Sequence, residues 1–154
     1  MLNKRLILHS VLILLLLLNL AFIFVQSALP KEESKETSDK VGEIVGDIIP
    51  PETKPGEFVQ INLRKIAHFV EFFTLGLLSS IYVVFLGAGA RRVALSVCFA
   101  PSVALFDETV QIFSGRGASV KDVWIDSAGF FTAALVFYTV YYLTLLLMRK
   151  CKQK

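Results

Sequence analysis

Cysteine is scarce in this chain, with two in 154 residues. Cys98 lies inside an apolar run and Cys151 among basic residues near the C-terminal end. No C-x-x-C pattern occurs, so nothing supports a zinc knuckle or a disulfide framework. Charge is also thin: Asp, Glu, Lys and Arg make up 19% of the residues, and the formal net charge is only +3. The basic residues sit at the ends and turns of apolar runs and form no open stripe, which argues against nucleic acid as a partner. No internal repeat is visible, which argues against a repeat-built transporter. What the chain has in excess is apolar surface. It is 55% hydrophobic with a mean hydropathy of +0.63, well above the level of a soluble globular chain. The composition implies a membrane, and the short length implies a single unit over 1–154.

Four runs are long enough to cross a bilayer. Residues 6–29 are apolar apart from Asn19, Gln26 and small polar residues, with Lys4 and Arg5 before them. An uncleaved first helix is the favoured reading; a signal peptide processed near Val25-Gln26-Ser27 is its rival. Residues 63–86, 93–113 and 123–148 follow, and Pro101 interrupts the third run at a place where a helix could kink. Between the first and second runs, 30–60 is rich in Lys, Glu, Ser and Pro. Within it Val41, Ile44, Val45, Ile48 and Ile49 recur at helical spacing before Pro50-Pro51. That pattern predicts either a short amphipathic helix on the membrane surface, in its sharper form a lid over a site, or a solvated connector.

The basic clusters Lys4/Arg5, Arg91/Arg92 and Arg149 to Lys154 are each separated by two spans. They can therefore share one side, which the positive-inside rule assigns to the cytoplasm. The expected fold is an all-α integral membrane protein with four transmembrane helices and cytoplasmic N- and C-termini. Segment 30–60 and the Gly-rich loop 114–121 then lie outside. Trp124 falls at the outer interface and Tyr141/Tyr142 near the inner one.

Charges inside apolar segments are costly and are usually functional. Here they cluster. Arg64, Lys65, His68 and Glu71 open the second run. Asp107, Glu108 and Gln111 close the third, Arg116 sits in the loop, and Asp122 and Asp126 open the fourth. With the expected topology all of them lie in the outer third of the bilayer. At ~1.5 Å per residue, Glu71 is roughly 10 Å inward from Arg64 and Asp126 about 6 Å from Asp122. Arg64, His68 and Glu71 share one helix face, while Lys65 points about 100° away and can snorkel. Ala100, Ala104, Asp107 and Gln111 share a second face, and Asp122, Asp126, Gly129 and Ala133 a third. The small residues allow close helix approach, so the polar groups should point into the bundle. Arg64, His68, Glu71, Asp107, Gln111 and Asp126 are expected inside, with Lys65 and Lys121 at the rim.

Such a pocket suggests several chemistries. His68 beside Glu71 resembles a base with its orienter, and with Asp107 these form the candidate catalytic group. Arg64 and Arg116, with the Gly115 and Gly117 backbone, suit a phosphate arriving from the outer leaflet. Gln111, Asp122 and Asp126 complete the candidate ligand-binding set. Carboxylates with a histidine can hold a divalent cation, but the spacing matches no known ligand pattern, so no metal ligands are assigned. No serine or cysteine stands in a fixed relation to His68, and Ser114 and Ser119 are weak nucleophile candidates. The competing account is structural: buried arginine–carboxylate pairs that hold the bundle in register.

The motifs Arg64-Lys65-x-Ala67-His68-Phe69-x-Glu71-Phe72 with Leu75-Gly76, Asp107-Glu108-x-x-Gln111-x-Phe113, Gly115-Arg116 and Asp122-Val123-x-x-Asp126-x-x-Gly129 resemble the VanZ-like family of bacterial membrane proteins. Order and separation both match, over nearly the whole chain. Lys65, Glu108 and Gly129 join the site residues as signature positions; Asp126 stands where relatives often have asparagine. The resemblance implies a small multi-pass protein of the bacterial cytoplasmic membrane, in a family whose founding member is associated with low-level resistance to teicoplanin-type glycopeptides. It supplies no established reaction and no cofactor. The function expected is therefore a cell-envelope factor whose outward-facing polar site binds or modifies a lipid-linked or phosphate-bearing component. The alternatives are a non-catalytic interaction protein with structural charges, and a small-solute transporter. The bilayer and a lipid-linked envelope precursor are the expected partners.

Overall fold

The four apolar runs become four long helices in the computed structural model, which describes residues 3–152. In chain order the helices are α1 (Lys4–Ala28), α2 (Lys31–Ile48), α3 (Lys54–Phe85), α4 (Ala90–Phe113) and α5 (Val120–Lys152). Among the described residues there is no strand. By length and hydropathy α1, α3, α4 and α5 can each cross a membrane, whereas α2 cannot. The basic C-terminal cluster extends past the described residues at Gln153 and Lys154.

The connector 30–60 differs most from expectation. A single helix of 18 residues replaces the short one expected over 41–49. Ile49 and Pro50 end it, and α3 begins nine residues before the apolar run at 63. The cause is local. The Thr53 side chain accepts from the Gly56 backbone N–H at 3.1 Å, and Pro55 sits in the first turn, where its missing N–H costs nothing. With 32 residues, α3 is about 48 Å long, longer than the roughly 30 Å hydrocarbon core. Its N-terminal turns therefore extend beyond the apolar layer, and α2 packs against them. The Gln60 amide donates to the Gly42 carbonyl at 2.7 Å to fix that contact. Ile44 and Ile48 of α2 are exposed, as a helix lying at an interface requires.

α3 is the central helix and touches every other one. Its tightest contact is with α5. A Cβ at Gly76 would collide with the Phe130 backbone carbonyl, and one at Gly129 with the Phe69 carbonyl. The two glycines thus set how closely these backbones approach. Beside them lies a buried cluster of Ile23, Phe72, Leu75, Ala100, Val103, Ala104 and Phe130. The outer surface of the bundle is apolar too, with Leu14, Leu17 and Leu18 of α1 and Leu135 and Leu147 of α5 all exposed. α4 continues through Pro101. Cys98 and Cys151 are both free and exposed.

Candidate functional site

The polar residues meet at one end of the bundle, where α1 and α4 finish, α5 begins and α3 passes through. Four cross-links define that end. Ser27 Oγ on α1 donates to Asp107 Oδ1 on α4, and Arg64 Nη2 on α3 donates to Gln111 Oε1 on α4 at 2.7 Å. Ser114 Oγ donates to the Ser27 carbonyl at 2.9 Å, and Arg116 Nη1 to the Gln26 carbonyl at 2.7 Å. Gly115 and Gly117, at φ +73° and +76°, take the left-handed conformation that glycine adopts without penalty. Between them the chain turns sharply enough to send Arg116 back toward α1.

The interior of the site is rich in carboxyl groups. Asp107, Gln111 and Asp126 are fully buried, and His68 and Glu108 nearly so. The helical spacing of Ala100, Ala104, Asp107 and Gln111 does produce one buried face. Asp126, Gly129 and Ala133 produce another, with Asp122 at its half-buried edge. Asp107 is held on both oxygens: Oδ2 accepts from Gln111 Nε2 at 2.8 Å and Oδ1 from Ser27. Glu108 Oε2 accepts from the Ser119 backbone N–H and so caps the start of α5. Asp126 has no hydrogen-bond partner on either oxygen.

His68 is oriented differently from the sequence expectation. The carboxylates close to its Nδ1 belong to Asp126, at 3.6 Å, and Asp107, at 3.9 Å. Glu71, one turn along α3 and expected as the orienter, instead lines a cavity of about 190 Å³ with His68, Arg64 and Arg116. Two residues three apart on one helix share a face, but the His68 Nδ1 edge turns toward α4 and α5.

The cations occupy the mouth. Arg64, expected inside, is an exposed residue that reaches in through its contact with Gln111. Lys65 and Lys121 are exposed, as rim residues should be. Partial burial lowers the pKa of Arg116, and the nearby Arg64 lowers it further; arginine stays charged regardless. Among the described residues no arginine or lysine of this cluster lies within 4.0 Å of a carboxylate. The arginine–carboxylate pairs that the structural account needs do not form. The roof over the two arginines is α2: a second cavity, of about 960 Å³, runs between Ser34, Ser38 and Gly42 on α2 and Arg64 and Arg116 below.

Ser27 is the residue that sequence reasoning missed. It is buried and holds Asp107. The signal was present, since Gln26-Ser27 is a polar exit from an otherwise apolar helix, but it also fits a processing site. Nothing in the spacing shows that α1 ends against α4.

Four apolar spanning helices around a buried ionisable cluster define a small multi-pass helical membrane protein. Residues 12–145 match the family model described as VanZ/LLP1. The chain belongs to that VanZ-like family. No curated protein and no solved structure matches it.

Proposed function

We propose that this protein binds a phosphate-bearing, lipid-linked component of the bacterial cell envelope at the outer face of the cytoplasmic membrane. One observation carries the reading. Arg64 and Arg116, neither paired with a carboxylate, flank the same cavity as His68 and Glu71, and its lining includes the apolar Phe22, Val41 and Leu63 beside the polar Gln26, Ser34, Thr37 and Ser38. Guanidinium forks suit phosphate oxygens, and an apolar wall beside them suits the first carbons of a lipid chain. The roof helix α2, with an apolar outer face, keeps the cavity at the depth of a lipid headgroup. If the bound component is also modified, His68 is the acid or base, with Asp126 and Asp107 as its neighbouring carboxylates and Glu71 on the wall of the same cavity. Altered access of teicoplanin-type lipoglycopeptides to membrane-proximal targets is then a consequence of occupying or changing that component.

Native mass spectrometry of the protein purified in mild detergent tests this. A long-chain lipid phosphate supplied in mixed micelles should be retained by the wild type, and at least ten-fold less by the double variant Arg64→Gln/Arg116→Gln. Equal retention by both would sink the reading. Cells carrying the wild-type gene should show a shifted teicoplanin susceptibility that the double variant loses.

A further inference from the structure

We infer that His68, Asp107 and Asp126 form a binding site for a single divalent transition-metal cation, of the zinc or manganese kind. The three residues come from α3, α4 and α5, and each offers one ligand atom within 4.8 Å of the other two. The His68 Nδ1 distances are 3.6 Å to Asp126 Oδ1 and 3.9 Å to Asp107 Oδ2. Donors about 2.0–2.2 Å from one ion stand roughly 3–4 Å apart along the edges of its coordination polyhedron. One imidazole nitrogen with two carboxylates is a donor set for zinc or manganese rather than for softer, thiolate-seeking ions.

A second observation points to a ligand independently of the spacing. Asp126 is fully buried and neither of its oxygens has a partner; His68 Nδ1, also buried, has none either. His68 Nδ1 and Asp126 Oδ1 are thus two unpartnered buried atoms 3.6 Å apart. Buried polar groups are normally satisfied, and a buried carboxylate with no donor is the costliest kind of exception. No lysine or arginine comes within 4.0 Å of either aspartate among the described residues. Two carboxylates with a neutral imidazole carry a charge that one dication balances.

The surroundings suit a ligand shell. Ser27 and Gln111 hold the two oxygens of Asp107, and Arg64 holds Gln111. Outer partners of this kind fix the orientation of metal-binding carboxylates. His68 also lines two separate cavities, one beside Glu71 and Arg116 and one beside Lys65 and Asp122. An ion has a way in. The rival arrangement is an imidazolium held between the two aspartates, which needs no metal.

The test uses the full chain, purified in detergent, stripped with a chelator and dialysed against micromolar Zn²⁺ or Mn²⁺. Elemental analysis should find about one ion per chain for at least one of the two metals. His68→Gln and Asp126→Asn should each lower occupancy at least ten-fold, while Glu36→Gln, on the exposed face of α2, should not. Added metal should raise the thermal midpoint of the wild type and leave that of Asp126→Asn unmoved. Wild-type protein that holds neither ion overturns the inference, whatever the variants do. So does metal bound equally well by wild type and both site variants. No lipid enters the experiment, so its outcome is separate from that of the phosphate-retention test.

Discussion

Ser27 shows how much rests on single contacts in this cluster. Its hydroxyl satisfies one oxygen of a fully buried carboxylate from a different helix. Removing one partner of a buried hydrogen bond exposes the other to its full desolvation penalty, about 1–3 kcal/mol and more when the remaining group is charged. Ser27→Ala should therefore lower the stability of the detergent-solubilised protein by at least about 1 kcal/mol, read by thermal unfolding. Ser114→Ala is expected to cost less, because the carbonyls of Ser27 and Gln111 that it contacts are neutral acceptors. A larger loss for Ser114→Ala than for Ser27→Ala would contradict the assignment of Asp107 as the critical acceptor. The correction to Arg64 is also a residue-scale lesson. Helical spacing places it on the face of His68, but the residue is exposed and its long side chain lets the guanidinium reach Gln111.

At the scale of elements, the α3–α5 contact and the α2 roof have opposite roles. Gly76 and Gly129 lie against backbone carbonyls of the facing helix, and backbone cannot rotate away as a side chain can. Gly76→Val or Gly129→Val should separate α3 from α5 and sharply reduce the yield of folded, monodisperse protein. The cost of such overpacking is typically about 1–3 kcal/mol, and separation of the helices would also pull Asp126 from His68. Wild-type yield and thermal midpoint in both variants would refute the tight contact. By contrast α2 meets only α3 to any extent, with Gln60 and Gly42 as its hydrogen-bonded anchor. Replacing residues 31–48 by a flexible linker should leave the four-helix bundle intact while lowering lipid-phosphate retention. Unchanged retention would remove α2 from the binding function.

At the scale of the whole molecule, orientation across the membrane is the property that joins the cluster to the cell envelope. We propose, from the positive-inside distribution of the short basic segments, that the cluster faces outside. In cells expressing an Ala118→Cys variant, with Cys98 and Cys151 replaced by serine, a membrane-impermeant maleimide added to intact cells should label the 114–119 loop. Labelling only after the membrane is broken would reverse the topology and with it the source of the ligand. Ala118 is exposed beside the site and takes no part in its hydrogen bonds, so the probe reads location rather than damage.

Much of this protein is legible in its sequence. Four apolar runs dictate four spanning helices, because a backbone in lipid must satisfy its own hydrogen bonds and an α-helix does so locally. Antiparallel succession then brings Arg64, His68, Asp107, Gln111 and Asp126 to one end, and the period of the helix turns Asp107, Gln111 and Asp126 inward. Those inferences need only length, period and order. What the sequence does not contain is the rotation of each helix about its own axis and the reach of each side chain. These depend on which small residues meet, as at Gly76 and Gly129, and that is a property of pairs of helices. Only the tertiary structure therefore decides that His68 faces Asp107 and Asp126 rather than Glu71, and that Ser27 anchors the cluster from α1. The same holds for the arginines, which line the mouth without a carboxylate partner while two carboxylates and an imidazole converge behind them.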